Sequence, residues 1–339
     1  MNKEIIKEFS DITRTQIEFI EHLWQNDYEV ISQEEDLSAL DEDDKHLYIC
    51  SYSVKKRSNP NEKRVIYYPY SEKLKTIFKI TSKWLQQIYT APHCVNGFIK
   101  KKGIRTNAEP HLQCSVLVKL DLKNFYEQIS ASRITDSIIE CGVNQDLANL
   151  VSKICTINGM LIQGFSTSPV ISNIVTKNLD IILEKYCKLN NITYTRYADD
   201  MSFSSTANQI ELEAITKLIE DYGFEINSEK TKVLKRGYYQ SVTGLTVFDN
   251  KMPRIPKRIK RKLRLETYYI NKYGIKNHAI RNLVRQGEYN NNPERELSLA
   301  TEINTLREKI EGWINYSRAI EPAFSLKIQL MYEGRKDSP

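Results

Sequence analysis

Two adjacent acidic residues, Asp199 and Asp200, lie in the middle of the segment Tyr194–Ser204, where two short β-like runs meet. A tight turn at this point places two carboxylates side by side. Like charges at such a short separation repel each other, and removing a carboxylate from water costs free energy. A bound divalent cation would therefore stabilise the arrangement. A solvent-exposed turn is the alternative interpretation, because Asp is a common turn residue.

A third carboxylate favours the first interpretation. Asp121 ends the apolar run Ser115–Asp121, a pattern typical of a buried strand. A strand end and a hairpin turn can share one metal site, and oxygen ligands suit Mg²⁺, which keeps waters and takes other ligands from substrate phosphates. The sequence therefore predicts that Asp121, Asp199 and Asp200 hold Mg²⁺ in a two-metal site for phosphoryl or nucleotidyl transfer.

Composition sets the broader limits. The chain has 339 residues, of which 40% are hydrophobic and 27% charged, as expected of a globular protein with two or three subdomains. Its six cysteines and five histidines show no zinc-site spacing, and we expect most cysteines to be small buried residues in a reducing compartment. No apolar run has membrane-spanning length and the N-terminal residues do not resemble a signal peptide, so we expect a cytoplasmic protein without membrane contact.

Positive charge is concentrated at the C-terminal end. Residues 251–339 hold 19 Lys and Arg against 10 Asp and Glu, a balance of +9, whereas the whole chain carries +6 and residues 1–250 therefore carry −3. The densest part, 251–264, has no acidic residue. A phosphate backbone is the natural partner of such a segment, and a solvated helix face is the alternative.

The hydrophobic pattern also predicts the elements that position these residues. We expect a β pair at 47–54 and 64–68, and helices at 3–25, 71–90, 131–140, 144–157, 169–189, 208–222, 256–272, 275–285 and 296–319. The acidic stretch 34–44 is expected to be a loop or turn, with protein contact as a second option. Pro253 and Pro256 mark the boundary between the core and a helical, basic C-terminal part.

Four segments resemble the motifs of reverse transcriptases and occur in the same order. They are Val118–Tyr126 and Tyr197–Asp200, which resemble the two catalytic motifs, Gln163–Pro169, which resembles the nucleotide-pocket motif, and Gly223–Lys232, which resembles the motif that follows. Each segment alone is a weak signal, but the ordered set is strong. It covers roughly residues 60–250.

Three further segments narrow the resemblance to retron reverse transcriptases. Asn107-Ala-Glu-Pro-His111 and Val242-Thr-Gly244 match patterns characteristic of that group, and Glu311–Tyr316 resembles its thumb. Such bacterial enzymes copy part of their own structured RNA into a small single-stranded DNA (msDNA), starting from a guanosine 2′-hydroxyl, and several act in phage defence with a separate effector. The resemblance thus implies a cognate structured non-coding RNA, msDNA, dNTPs, an effector protein and host RNase H as partners. The alternatives are another class of bacterial reverse transcriptase (group II intron, diversity-generating or abortive-infection type) or a mainly scaffolding RNA- and DNA-binding defence component.

The fold implied by the resemblance is α+β, a right-hand polymerase with fingers, a palm of antiparallel sheet plus helices, and a helical basic thumb. We divide the chain into an N-terminal helical extension with the acidic stretch (1–45), fingers (46–115), palm (116–250, with an interleaved fingers segment at about 144–168) and thumb (251–339).

The resemblance also implies roles at the catalytic site. Asp121 and Asp199 would ligate both metals and Asp200 the priming-site metal, while Lys230 would give a proton to pyrophosphate, an exposed structural lysine being the alternative. Tyr126 would exclude ribonucleotides sterically, core packing being the alternative, whereas Phe125 is expected to pack in the core. The predicted dNTP-binding residues are Lys63, Arg64, Tyr126, Gln163, Gly164 and Ala198. Of these, Gln163 would contact the incoming nucleotide and Gly164 would allow a close backbone approach. Lys63 and Arg64 are adjacent and cannot face the same side of a strand, and Arg64 is preferred because its fork suits a triphosphate.

Nucleic-acid contacts are predicted in the C-terminal half and in one upstream motif. The residues concerned are Asn107, His111, Val242, Thr243, Gly244, Lys257, Arg258, Lys260, Arg261 and Arg264. Whether the two retron-type motifs touch RNA directly is left open, and a β-turn or bulge explains Gly244 equally well. Three tyrosines among the cations, Tyr268, Tyr269 and Tyr273, are expected either to stack on unpaired bases or to face the helix core.

Overall fold

A computed structural model of the chain describes residues 3–32, 44–55, 62–207, 209–289 and 294–334. Its contacts divide the chain into two compact units. The first unit is Met1–Gly103, Val118–Ser204 and Gln209–Val233, and the second is Ile104–Leu117, Ser205–Asn208 and Leu234–Pro339. The four-part division into extension, fingers, palm and thumb stays a prediction, and most of the acidic stretch at 34–44 lies outside the described residues.

The first unit begins with two helices, α1 (Lys3–Thr13) and α2 (Ile17–Gln25), where the sequence predicted a single one. The break follows Arg14, whose φ of 54° is incompatible with a right-handed helix. A small sheet comes next, in which β1 (Glu29–Ser32) pairs in parallel with β2 (Tyr48–Lys55), and β2 pairs antiparallel with β3 (Lys63–Pro69). The predicted β pair is therefore confirmed.

Helices fill most of the remaining first unit. Helix α3 is capped by Ser71, whose hydroxyl accepts a hydrogen bond from the Leu74 amide. The predicted helix at 169–189 is split at Thr176 into α7 and α8. The helices of this part are α3 (Glu72–Ile88), α5 (Ala131–Ile139), α6 (Gln145–Ile154), α7 (Ser168–Val175), α8 (Lys177–Leu189) and α9 (Leu212–Asp221). Helix α4 (Ile104–Ala108) belongs to the second unit.

A four-stranded sheet carries the acidic residues. Its strands lie in the order β5-β6-β4-β7, and they are β4 (Val116–Asp121), β5 (Thr193–Tyr197), β6 (Asp200–Ser205) and β7 (Lys232–Lys235). The core beside it contains side chains that are almost wholly buried, such as Leu120, Phe165 and Phe203. The predicted strand ending at Asp121 and the predicted hairpin are both confirmed.

The second unit is mainly helical. A short helix α4 (Ile104–Ala108) precedes a two-stranded hairpin, β8 (Ser241–Val242) and β9 (Leu245–Thr246), and four longer helices follow. They pack around a core of buried aliphatic residues that includes Leu263, Ile310 and Ile328. These helices are α10 (Lys257–Tyr273), α11 (Ile275–Gln286), α12 (Arg295–Ile320) and α13 (Pro322–Glu333), the last of which the sequence analysis did not predict.

All six cysteines are free thiols, five of them buried and Cys141 half-buried, which confirms their expected role as small buried residues. Burial is the first cause of the raised pKa of these thiols, as at Cys155, where it brings the pKa to about 12. Across the described ranges, no helix is both long and apolar enough to cross a lipid bilayer.

Candidate active site

The acidic pair lies at the tip of the β5–β6 hairpin. Tyr197 and Asp200 are paired across the two strands, so Ala198 and Asp199 form the turn between them. Ala198 has a φ of 57°, a left-handed conformation that an alanine adopts only at a cost. The Asp199 carbonyl accepts a hydrogen bond of 3.2 Å from the amide of Leu122, the residue after Asp121. The structure therefore brings the strand end and the hairpin turn together, as the sequence predicted.

The three carboxylates are close enough to affect one another's protonation. The pKa of Asp199 is raised to about 6, first by burial and then by the negative charges of Asp200 and Asp121. Burial also raises the pKa of Asp200, against the opposing charge of Lys119. The cluster is thus a set of hard oxygen donors whose negative charge is incompletely compensated, and a bound cation would lower the free energy of the ionised state.

Lys230 lies at the edge of this cluster. Its Nζ is 2.7 Å from Oδ2 of Asp121. Burial lowers the pKa of Lys230, but the hydrogen bond and the charge of Asp121 outweigh burial, so the pKa rises. The backbone brings the lysine there, because the Asn227 amide donates to the Asp121 carbonyl at 2.8 Å. Lys230 is therefore a direct counter-ion of a predicted metal ligand, although its side chain remains 44% exposed.

The donor set fits a divalent cation that takes few ligands from the protein. Among the described residues, no three Asp, Glu, His or Cys side chains are arranged as a complete metal site. Mg²⁺ does not require such a cage, because it keeps several waters and binds through one or two carboxylates plus substrate phosphates. Asp121, Asp199 and Asp200 are the residues that would hold it, since their charges are mutually coupled as described above.

A buried ion pair that the sequence analysis missed supports the turn. Arg196 and Asp180 both have fully buried side chains, and the guanidinium binds the carboxylate with its Nε at 2.8 Å and its Nη2 at 2.7 Å. The Tyr194 hydroxyl donates to the same carboxylate, and Arg196 Nη1 donates to the Ala198 carbonyl at 3.0 Å. The pair thus links helix α8 to the strained turn residue. The sequence signal for this pair was the presence of a cation, Arg196, within a strand whose pattern otherwise indicates burial.

A second support is Gly97, which lies directly against the turn. A Cβ atom at this position would be 2.5 Å from the Ala198 amide nitrogen, and contacts that short do not occur between real atoms. The segment is fixed on both sides, because the Asn96 amide donates to the Arg196 carbonyl and the Asn173 side chain donates to the Gly97 carbonyl. Close packing of Gly97 against Ala198 therefore restricts the position of the turn.

Gly97→Ala is therefore expected to push the Asp199 turn away from its position. We expect a loss of about 1–3 kcal/mol in the free energy of unfolding, as for other overpacked sites, together with reduced activity. Gly103→Ala is the matched control, because nothing lies within 4 Å of a Cβ at that position. Urea unfolding of both variants checks the effect, and equal stability of Gly97→Ala and the parent would contradict it.

Tyr126 lies beside the carboxylates. Burial, and then the charge of Asp199, raise the pKa of Tyr126 to about 12, while a hydrogen bond with Ser172 and the charge of Arg64 lower it in part. Arg64, the preferred triphosphate contact, is thus close enough to act on this tyrosine. Phe125 is 4% exposed and packs against Phe224, so its predicted place in the core is confirmed.

Gln163 and Gly164 lie against strand β3. The Tyr67 amide donates to the Gln163 carbonyl at 2.8 Å, and Gly164 has a φ of 121°. A Cβ on Gly164 would be 1.9 Å from the Tyr67 carbonyl oxygen. The close approach expected at Gly164 is therefore an approach to the protein's own backbone. Within the described chain, Oε1 of Gln163 is buried and has no hydrogen-bond partner.

Comparison with known proteins decides the family. Residues 54–286 match the family described as reverse transcriptase (RNA-dependent DNA polymerase). The chain belongs to the reverse transcriptase family. This membership, with its helices and antiparallel sheets, confirms the predicted fold class, an α+β right-hand polymerase.

Relatives of this reverse transcriptase confirm the predicted resemblance to the retron group. It is 29% identical over 205 residues to the Retron Ec86 reverse transcriptase of Escherichia coli, in a match covering 59% of this chain and 63% of that protein. It is 34% identical over 173 residues to the Retron Mx65 reverse transcriptase of Myxococcus xanthus, covering 45% and 40%. The chain thus spans less than two thirds of either relative. An apo telomerase structure from Candida tropicalis matches with a TM-score of 0.39 and 13% identity, covering 52% of this chain and 44% of that one.

The two retron-type motifs of this reverse transcriptase pack against each other in the second unit. Asn107 and His111 are fully buried, and burial lowers the pKa of His111 to about 3, so its imidazole is neutral. Val242 is buried as well. Because these three side chains are buried, the structure favours a supporting role for them over direct contact with RNA, a question that the sequence left open.

The turn of the second motif joins β8 to β9. Thr243 and Gly244 have φ angles of 45° and 82°, and two positive φ values are what a two-residue type I′ hairpin turn requires. The Thr243 hydroxyl donates to the Ile104 carbonyl at 3.1 Å, which ties this strained residue to α4, the helix that carries Asn107. The turn explanation of Gly244 is thus the correct one, and Gly244 itself remains exposed.

Helix α10 carries the predicted phosphate contacts. Lys257, Arg258, Arg261 and Arg264 are exposed, whereas Lys260 is half-buried and ion-paired with Glu321 at 3.0 Å. The charge of Lys260 is therefore already paired within the protein, while the other four basic side chains are accessible to a nucleic acid.

The three tyrosines of α10 contact mainly each other. Tyr269 stacks on Tyr273 and on His278, and Lys272 lies over Tyr268 and Tyr273. These contacts occupy ring faces of Tyr269 and Tyr273, whereas Tyr268 and Tyr273 are exposed and do not face the helix core, so base stacking stays a prediction.

Proposed function

We propose that the protein is an RNA-directed DNA polymerase of the retron type. It copies part of its own structured non-coding RNA into msDNA and starts from the 2′-hydroxyl of a guanosine in that RNA. The observation that carries the proposal is the coupling of Asp121, Asp199 and Asp200 at one strand end and one hairpin turn, in a chain of the reverse transcriptase family.

The side chains around the cluster have separate roles in nucleotide addition. When bound to the three aspartates, Mg²⁺ lowers the pKa of the attacking hydroxyl and neutralises charge on the triphosphate. The hydroxyl oxygen releases its proton to solvent and forms a bond to the α-phosphorus as the bond to the pyrophosphate oxygen breaks. Lys230 gives its Nζ proton to the departing pyrophosphate, and its position beside Asp121 places that proton at the edge of the cluster. Gln163 contacts the incoming nucleotide, and Arg64 binds the triphosphate.

Tyr126→Ala is expected to weaken discrimination against ribonucleotides by about tenfold or more. The half-buried ring lies beside Asp199, so its removal opens space where the sugar of an incoming nucleotide would lie. Incorporation of a dNTP and of the matching rNTP is measured on one primer–template. Phe125→Leu is the control, because Phe125 packs into the core. An unchanged ratio of the two kcat/KM values in Tyr126→Ala would refute the steric gate.

The proposed partners follow from this function. The cognate non-coding RNA, as template and primer, binds the exposed cations of α10, msDNA is the product, and dNTPs are the substrates. Host RNase H removes the copied RNA, and a separate effector protein uses the complex in anti-phage defence. We place the protein in the cytoplasm.

Expression together with the flanking genomic sequence tests the proposal. The nucleic acid that co-purifies with the protein is treated with RNase and analysed by gel and sequencing. We expect a discrete short single-stranded DNA whose sequence maps to the flanking RNA gene and which is absent when that gene is deleted. RNA without such DNA would favour another class of reverse transcriptase or a scaffold.

A further inference from the structure

A large concave surface of the second unit includes two of the exposed cations of α10. It has a volume of about 1130 Å³ and lies between the turn at Gly237, the segment after β9 and the start of α10. The residues that matter for its chemistry are Tyr238, Tyr239, Phe248, Lys257 and Arg258. We call it the aromatic–cation pocket.

Its three rings are unusually exposed. Tyr238, Tyr239 and Phe248 have 74%, 61% and 69% of their surface accessible to solvent. Tyr269 and Tyr273 of the same unit instead stack on each other. Grouped exposed aromatic rings are unfavourable in water and mark a binding surface more often than isolated ones.

The backbone under these rings is held firmly. The Tyr238 amide donates to the Lys235 carbonyl, and the Val247 amide donates to the Gln240 carbonyl. The side chain of Gln240 is buried and donates to the Leu234 carbonyl at 2.8 Å. The rings therefore project from a backbone that is already ordered, which reduces the entropy lost when a ligand binds.

The cations of the pocket are of two kinds. Arg254 is ion-paired with Asp249 at 3.0 Å and with Glu321 at 3.4 Å, and Lys260 is ion-paired with the same glutamate. Lys257 and Arg258 are exposed, and no acidic group of the described chain forms an ion pair with either. The acids at this surface are thus already matched, and two uncompensated positive charges remain for an anionic ligand.

We propose that the aromatic–cation pocket binds unpaired nucleotides of a single-stranded RNA segment. The bases stack on Tyr238, Tyr239 and Phe248, and the phosphates contact Lys257 and Arg258. Every base has a π face that an aromatic side chain can cover, whereas a duplex keeps these faces stacked inside. An apolar peptide would cover the rings but leave both cations unmatched. This proposal rests on the proposed function for its choice of RNA, and it names the part of the RNA that is recognised.

Two fluorescein-labelled RNA probes test the pocket. One is a fully paired hairpin, and the other is the same hairpin with a single-stranded 3′ extension of about eight adenosines, long enough for one stacking site. We expect the parent to prefer the extended probe and the double variant Tyr238→Leu/Phe248→Leu to lose about tenfold of that preference, equivalent to about 1.4 kcal/mol. Tyr238→Phe/Phe248→Tyr keeps both rings and should keep the preference.

The charged residues give an independent measurement. Lys257→Gln/Arg258→Gln should weaken binding of both probes and flatten the salt dependence of the dissociation constant, because two phosphate contacts are lost. If the double ring variant is misfolded by circular dichroism, the single variant Tyr239→Leu replaces it. Retention of the full preference for the extended probe in a folded ring variant would overturn the proposal and favour a protein partner for this surface.

A different experimental result would refute the proposed polymerase function. Nucleotide incorporation on a pre-annealed DNA primer and RNA template does not require recognition of the free RNA. A parent that incorporates no dNTP would refute the polymerase proposal, whereas normal incorporation with an unchanged probe preference in the ring variant would refute the pocket alone.

Discussion

Asp199→Asn is expected to lower nucleotide incorporation on the order of a thousandfold. Asp199 is the turn carboxylate whose pKa is raised to about 6, first by burial and then by the charges of Asp200 and Asp121. An amide has the same shape but cannot supply the negative charge that holds a divalent cation. Such a cation contributes several kcal/mol to the transition state, and each 1.36 kcal/mol is a factor of ten in rate.

The same variant is expected to be more stable than the parent without divalent cations. The pKa of Asp199 lies above its ordinary value of 3.8, so the folded state binds its proton more tightly than the unfolded state. Stability contributed by this group is therefore lost as the pH rises from about 4 to about 6, and at pH 7 the ionised carboxylate destabilises the fold by about 2–3 kcal/mol. Asparagine removes that charge.

Two measurements separate these effects. Incorporation of labelled dNTP in Mg²⁺ reports catalysis, and thermal unfolding with and without Mg²⁺ reports the charge cluster. Asp136→Asn, at an exposed position of α5, is the matched control and should change neither. Incorporation by Asp199→Asn within tenfold of the parent would contradict the assignment of this residue as a metal ligand.

The sequence was most informative where the residues next to a functional side chain show a clear secondary-structure pattern. The run before Asp121 and the two runs around Asp199 each have a local pattern, so a strand end and a hairpin turn followed from it. Gly164 shows the limit. Its motif indicated a close approach, but the partner is the Tyr67 carbonyl, nearly one hundred residues away in strand β3. A local pattern cannot name such a partner.

Burial was the property hardest to obtain from motifs. For Asn107 and His111 the family motif left open whether they touch RNA, and only the structure shows that both side chains are fully buried. The break between α1 and α2 at Arg14 also has no glycine or proline signal, since a positive φ there depends on packing of the two helices. Tertiary packing decided both outcomes.

The Arg196–Asp180 pair, equally invisible in the sequence, leads to the second large expected effect. Arg196→Met should reduce the free energy of unfolding by about 3–5 kcal/mol, because it leaves the fully buried Asp180 carboxylate without its counter-ion. Loss of the Nη1 hydrogen bond to the Ala198 carbonyl should also loosen the turn that carries Asp199. Urea unfolding measures the first effect, and dNTP incorporation the second.

A double variant distinguishes positioning from stability. In Arg196→Met/Asp180→Asn neither partner keeps a buried charge, so we expect much of the stability to return, with a coupling energy of about 1–3 kcal/mol between the two changes. Activity should stay low, because the Ala198 carbonyl is still without its donor. Removing the exposed pair Lys153–Asp27 by Lys153→Met is the control and should cost less than about 1 kcal/mol. Full recovery of activity along with stability in the double variant would show that Arg196 stabilises the fold without positioning Asp199.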